Sequence, residues 1–119
     1  MAVMQPSQDW PEELDALIAA PQHHALMFEN EFVRVLDTWV PAGETVPLHT
    51  HRWPGTLYIV SWSDFVRRDG EGNVVADSRV MGKMGAERAL WSKPLPPHTL
   101  ENVGSTYLRV ISMELKNVL

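Results

Sequence analysis

From Phe28 to the end of the chain, β-branched and aromatic residues recur in short runs separated by Pro, Gly and small polar clusters, the pattern of half-buried strands rather than of helices. The runs predict strands at about 31–40, 45–51, 56–66, 73–80, 86–91 and 105–115, with a shorter piece near 95–100. Asp69-Gly70-Glu71-Gly72-Asn73 reads as a hairpin loop, and Asn102 with Gly104 marks another turn. Before Phe28 the period changes. Trp10, Leu14, Leu17 and Ile18 share one face at helical spacing, Asp9 and Pro11 suit a helix start, and Pro21 ends it, so a short amphipathic helix is expected over about 9–20. No helix-length segment lies between the strands to make parallel crossovers. The expected fold is therefore all-β, an antiparallel jelly roll with one short N-terminal helix. Residues 1–27 would pack as helix and linker on a β-barrel domain of residues 28–119. In the last strand Tyr107, Arg109, Ile111 and Met113 share one side and Leu108, Val110 and Ser112 the other, both largely apolar.

Length and charge narrow the function. At 119 residues the chain makes one domain. Its formal charge of -5 is uneven: residues 1–33 carry -6 and residues 34–119 carry +1. With no basic stripe, binding to nucleic acid by counterion release is excluded. The absence of cysteine removes disulfides, thiolate ligands and a Cys nucleophile, so any metal must be held by nitrogen and oxygen. No secretory signal is apparent and the longest apolar run, Ala16 to Ala20, is too short to span a bilayer, so a cytoplasmic protein that does not enter membranes is expected.

His49 and His51 stand two apart in a predicted strand, so both rings are expected on one face, their Cα atoms about 6–7 Å apart, where they could form half of a metal site. Gly43, six residues earlier, permits a tight turn into that strand. A third histidine, His98, follows a loop containing Pro94, Pro96 and Pro97, and Asn102 follows it by four.

These residues carry a resemblance. Gly43 to His51 resembles the first half of cupin motif 1, G-x5-H-x-H, and Pro94 to Asn102 resembles motif 2, in which a Pro-rich turn leads to H-x3-N. The likeness extends over about residues 28–116 and is strongest to small single-domain cupins through Glu29-Asn30, Val33-Arg34-Val35-Leu36-Asp37 and Glu114-Leu115-Lys116. It implies a double-stranded β-helix with His49, His51 and His98 as ligands of a divalent metal, whether iron, zinc, nickel or manganese. Cupin motif 1 continues with a glutamate ligand four or five residues after its second histidine, and here those positions are Gly55 and Thr56. The resemblance then implies either an all-histidine site with open positions or a site that has lost its metal. Three neutral imidazoles would leave the ion its full charge, which favours anionic substrates.

Other residues carry two readings each. His23 and His24 fall in a loop after the helix, as packing residues or as a ligand or base at the barrel mouth. Trp53, Trp62, Trp91 and Tyr58 are core fillers or pocket walls. Arg34 and Arg109 either pair with Asp37 or Glu114 or anchor a substrate carboxylate. Glu44 and Glu101 are candidates to orient a ligand imidazole, and Asn102 is a turn residue or a further polar contact. Met81 and Met84 read as packing in a flexible link. No catalytic residue is named by the sequence. The expected protein is a metal-binding cupin, an oxygenase or related enzyme acting on a small anionic metabolite. The alternative is a non-catalytic small-molecule binding or sensing barrel with a metal-free pocket. Exposed strand edges and a small core lead us to expect a homodimer.

Overall fold

Nine strands and one short helix form two facing antiparallel sheets, seen in a computed structural model that describes residues 10–81 and 88–116. The strands are β1 (His24–Glu29), β2 (Val33–Val40), β3 (Thr45–His51), β4 (Gly55–Ser61), β5 (Phe65–Asp69), β6 (Val74–Asp77), β7 (Ala89–Ser92), β8 (Leu95–Asn102) and β9 (Leu108–Leu115). The first sheet runs β1-β2-β9-β4-β7 and the second β3-β8-β5-β6. The expected jelly roll, a double-stranded β-helix, is what forms. Between the sheets Val40, Val46, Phe65, Ala76 and Leu108 make the buried core with Ala20, and Trp62, Leu100 and Val110 pack against it.

Four local expectations change. The run 56–66 is two strands in different sheets, because the polar segment Trp62-Ser63-Asp64 turns the corner. There the buried Ser63 hydroxyl donates to Asn102 Oδ1 at 2.7 Å, and the Asp64 carbonyl accepts from Val103 and Gly104. The helix is α1, Ala16–Ala19 only, after a 3-10 turn at Glu12–Leu14. Asp15, in extended backbone, caps it by accepting from the Leu17 N–H, while the expected cap Asp9 lies outside the described residues. The 73–80 run ends early as a 3-10 turn at Ser78–Val80, where Asp77 accepts from the Arg79 N–H. Finally, His24 to Met27 belong to β1 rather than to a linker, and this strand pairs with β2 along the sheet edge. Met84 and the start of the 86–91 run lie outside the described residues.

Gly43 takes a φ of 84° at the turn into β3, and Gly72 one of 88° in the 69–73 hairpin, where Asp69 accepts from the Glu71 and Asn73 N–H groups. Gly55 is required for a different reason. A Cβ there would meet the Met113 carbonyl oxygen at 2.0 Å, so the backbones of β4 and β9 leave no room for any side chain. The motif-1 glutamate is thus excluded sterically at this position. Gly55→Ala is expected to destabilise by about 3 kcal/mol or more, the top of the overpacking range, because backbone and not a flexible side chain must yield. Urea denaturation measures it, and an unchanged midpoint refutes it.

Candidate metal centre

Four histidines from three strands meet between the sheets. The register of β3 against β8 sets His49 opposite His98, with irregularities on both sides of His49, and His51 shares the face of His49, their ring centroids 5.0 Å apart. His24, the first residue of β1, completes the group from the other sheet. Ring centroids lie 4.3 Å apart for His49 and His98, 4.9 Å for His24 and His49, 5.0 Å for His49 and His51, 5.3 Å for His24 and His51, and 5.8 Å for His51 and His98.

Every one of these rings is anchored through Nδ1. His24 Nδ1 donates to the Ala20 carbonyl at 3.0 Å, His49 to Pro47 at 2.7 Å and His98 to Pro96 at 2.6 Å. His51 Nδ1 faces Glu114 Oε2 at 2.9 Å. Because a carbonyl or carboxylate oxygen accepts, Nδ1 carries a proton, and wherever the ring is neutral Nε2 presents a lone pair, the tautomer that metal-binding imidazoles adopt. Burial is the main cause that lowers His24 to about 4 and His98 to about 3 from an ordinary 6.5, and it depresses His49 strongly too. Burial thus favours the neutral form of His24, His49 and His98.

The donor set fits a divalent ion. One ligand nitrogen from each of His24, His49 and His51 lies within 4.8 Å of the others. Two nitrogens bound to one ion at ~2.1 Å stand at most ~4.2 Å apart, so small ring rotations close the trio. His24 Nε2 is buried without a hydrogen-bond partner, an orphan that a metal would satisfy. His98 stands beside this trio, its ring against His49.

Glu114 is the carboxylate that orients His51. It lies opposite Gly55 on β9 and opposite Arg34 on β2. Arg34 Nε donates to Glu114 Oε1 at 2.7 Å, and its Nη atoms donate to Asp15 at 2.9 and 3.0 Å. Burial alone would raise the Glu114 pKa, but the hydrogen bond and charge of His51, with those of Arg34, hold it below the usual carboxylate range. The same arginine stacks over Trp53 at 4.8 Å.

A cavity of about 220 Å³ opens from the histidines between the sheets, walled by Ile59, Trp62, Leu90, Trp91, Leu95 and Val110 among others. Trp53 and Trp91 line it as pocket walls, Trp91 half exposed. The remaining candidates do not. Tyr58 faces outward at 51% exposure. Arg109 forks onto Asp37 at 2.9 and 3.1 Å, the pairing its strand neighbours predicted, and so is not a substrate anchor. Glu101 is taken by Arg68 at 2.8 Å, and Glu44 reaches His23 at 3.7 Å, so neither orients a ligand imidazole. Asn102 is a buried staple: its Nδ2 donates to Val40 and Thr106 carbonyls and its Oδ1 accepts from Ser63 and Gly104. His23 packs with Nδ1 donating to Trp39. The sequence reading missed His24 as a strand residue; the signal was the apolar run Ala25 to Phe28 directly after it.

The depressed histidines have a measurable consequence in metal-free protein. Their unfolded forms bind protons below about 6.5, whereas His24 and His98 resist protonation down to about 4 and about 3. The unfolded state therefore holds more protons in this window, and stability is lost as pH falls through it. The urea midpoint is expected to drop steadily from pH 6.5 towards 4, and a flat profile would contradict neutral buried rings.

Neither a protein-family model nor a curated protein matches the chain. Solved structures do. A cupin domain from Bordetella pertussis superposes with a TM-score of 0.62 at 18% identity, covering 79% of this chain and 92% of that one. An uncharacterised double-stranded β-helix protein from Klebsiella pneumoniae gives 0.55 at 17%, covering 95% and 83%. The polyketide cyclase RemF from Streptomyces resistomycificus gives 0.55 at 13%, covering 98% and 81%. At these identities the likeness concerns the fold alone, a double-stranded β-helix. In fold the chain resembles small cupin domains.

Proposed function

We propose that this protein is a metal-dependent cupin that acts on a small anionic metabolite in the cavity beside its histidines. The observation that carries the reading is the anchoring of all four imidazoles through Nδ1, with His24 Nε2 left buried and unsatisfied. His24, His49 and His51 would hold the ion, with His98 beside them; an all-imidazole set suits iron, zinc or nickel, with manganese a weaker match. A divalent ion there supplies Lewis acidity and lowers the pKa of a bound water. The chain does the rest: the carbonyls of Ala20, Pro47 and Pro96 and the Glu114 carboxylate fix ring orientation, and the apolar walls exclude bulk water. An oxygenase or related activity follows the notion of an open, fully charged ion.

Elemental analysis of the purified, metal-reconstituted chain tests this. Near one equivalent of metal per chain and a raised melting temperature are expected. A chain that takes up no metal from any of these ions instead supports the second reading, a metal-free binding or sensing barrel, which the apolar cavity also suits. We further propose that the edge strand β1, with Leu26, Met27 and Phe28 exposed, pairs with a second copy of this chain. Light scattering is expected to give twice the chain mass, and a monomer at all concentrations would refute it.

A further inference from the structure

Among the described residues, three buried side-chain polar atoms have no hydrogen-bond partner: His24 Nε2, Arg67 Nε and Ser112 Oγ. All three belong to residues that line the histidine cavity, and Arg67 also borders a second cavity of about 200 Å³ beside Asp69 and His98. Orphaned polar groups are few in folded proteins, and each calls for an explanation. Their convergence on a single space points to a ligand. The metal proposed above accounts for His24 alone.

Arg67 is the telling case. Arg34, Arg68, Arg79 and Arg109 each sit on a carboxylate. Arg67 makes neither an ion pair nor a side-chain hydrogen bond among the described residues, although burial costs it hydration. It stands on β5 opposite Ala76 of β6 and Leu100 of β8, so its neighbours across both strands are apolar. Beside it in the cavity is His98. A guanidinium is always charged and presents Nε–H and Nη–H in a planar fork that matches a carboxylate. Keeping such a group half-buried and unpaired is a stability cost with no structural return.

Ile59, Leu90, Trp91, Leu95 and Val110 give the cavity an apolar wall, while its one carboxylate, Glu114, is held by Arg34 and His51. A cavity of ~150 Å³ is enough for benzene, and this one of about 220 Å³ is half as large again. That space suits a body of roughly ten non-hydrogen atoms.

We propose that Arg67 is the anion anchor of this cavity and that its ligand is a small monocarboxylate with an apolar, ring-sized body, the acid end taken by the guanidinium fork and the body lying against Trp91 and Leu90. This rests on the reading of the cavity as a ligand site beside the metal, and it names the ligand class and the residue that selects it. Ser112 offers a hydroxyl from the opposite sheet to a second polar group on the same molecule.

Benzoate is the probe, with benzyl alcohol as its neutral counterpart, titrated calorimetrically into the zinc-reconstituted full chain. Benzoate is expected to bind at least about tenfold more tightly than the alcohol. Arg67→Gln is expected to abolish that preference while leaving metal content unchanged and raising the melting temperature, because an unpaired buried charge is removed. Arg67→Lys, which keeps charge but not the fork, is expected to restore only part of it. Equal binding of acid and alcohol by the unaltered protein, absence of benzoate binding up to about 10 mM, or an undiminished preference in Arg67→Gln overturns the assignment. Metal analysis of the same samples separates the two readings. A chain without metal that still loses its acid preference in Arg67→Gln counts against the metal site and upholds the arginine.

Discussion

Alanine at His24 is expected to lower metal affinity by more than about 100-fold, as alanine at His49 or His51 does, since removing an outer partner already costs ~10–100-fold and a direct ligand costs more. The three residues share the property that one nitrogen of each lies within 4.8 Å of the others. His98→Ala is expected to fall between these variants and the unaltered protein, because its ring abuts His49 at 4.3 Å but stands 5.8 Å from His51. Competition with a chromophoric chelator measures all four on one scale. Stoichiometric metal in His24→Ala would show that the ion is held by the β3 and β8 histidines alone, the arrangement that the cupin resemblance implies. Folding is controlled for by the far-UV spectrum of each variant.

Arg34→Met is expected to be the most destabilising single change outside the packed apolar core, at about 3–5 kcal/mol, the usual cost of leaving a buried charge without its partner. Two carboxylates lose their arginine together, Asp15 at the start of α1 and Glu114 on β9, and both side chains are largely buried. For a domain of this size that loss corresponds to a fall in melting temperature of roughly 10–25 °C. The effect has a second readout. Without the arginine Glu114 loses one of the groups that keep it ionised, so its grip on His51 Nδ1 slackens and metal affinity falls by about tenfold. Adding Asp15→Asn and Glu114→Gln to Arg34→Met is expected to recover much of the stability, because no buried charge then remains, but not the metal affinity. Recovery of both would separate Glu114 from the metal centre. The network thus links the helix cap, the sheet and the histidines in one set of contacts.

Local pattern carried the strands well because their alternation is set by which side of a ribbon is wet, and that is written residue by residue. Six of the seven predicted runs contain an observed strand over most of the described positions, and the pairing of Arg34 with Glu114 and Arg109 with Asp37 was among the readings open from their places in apolar strands. The His49 and His51 spacing was legible for the same reason. The corner at Ser63 was not, since a chain that changes sheets does so through tertiary hydrogen bonds to Asn102, 39 positions away. Nor was β1, an edge strand with five of its six residues exposed and hence no alternation to read.

What the chain determined by itself is the β class, the absence of thiolate chemistry and an inward-facing H-x-H pair. Only the three-dimensional arrangement decided that His24 joins that pair, that Glu114 rather than Glu44 or Glu101 orients it, and that Arg67 opens into the cavity unpaired. The reason is physical. Strand periodicity says which residues share a face, whereas register between strands and the stacking of one sheet on the other say which faces meet, and those depend on contacts between residues far apart in sequence.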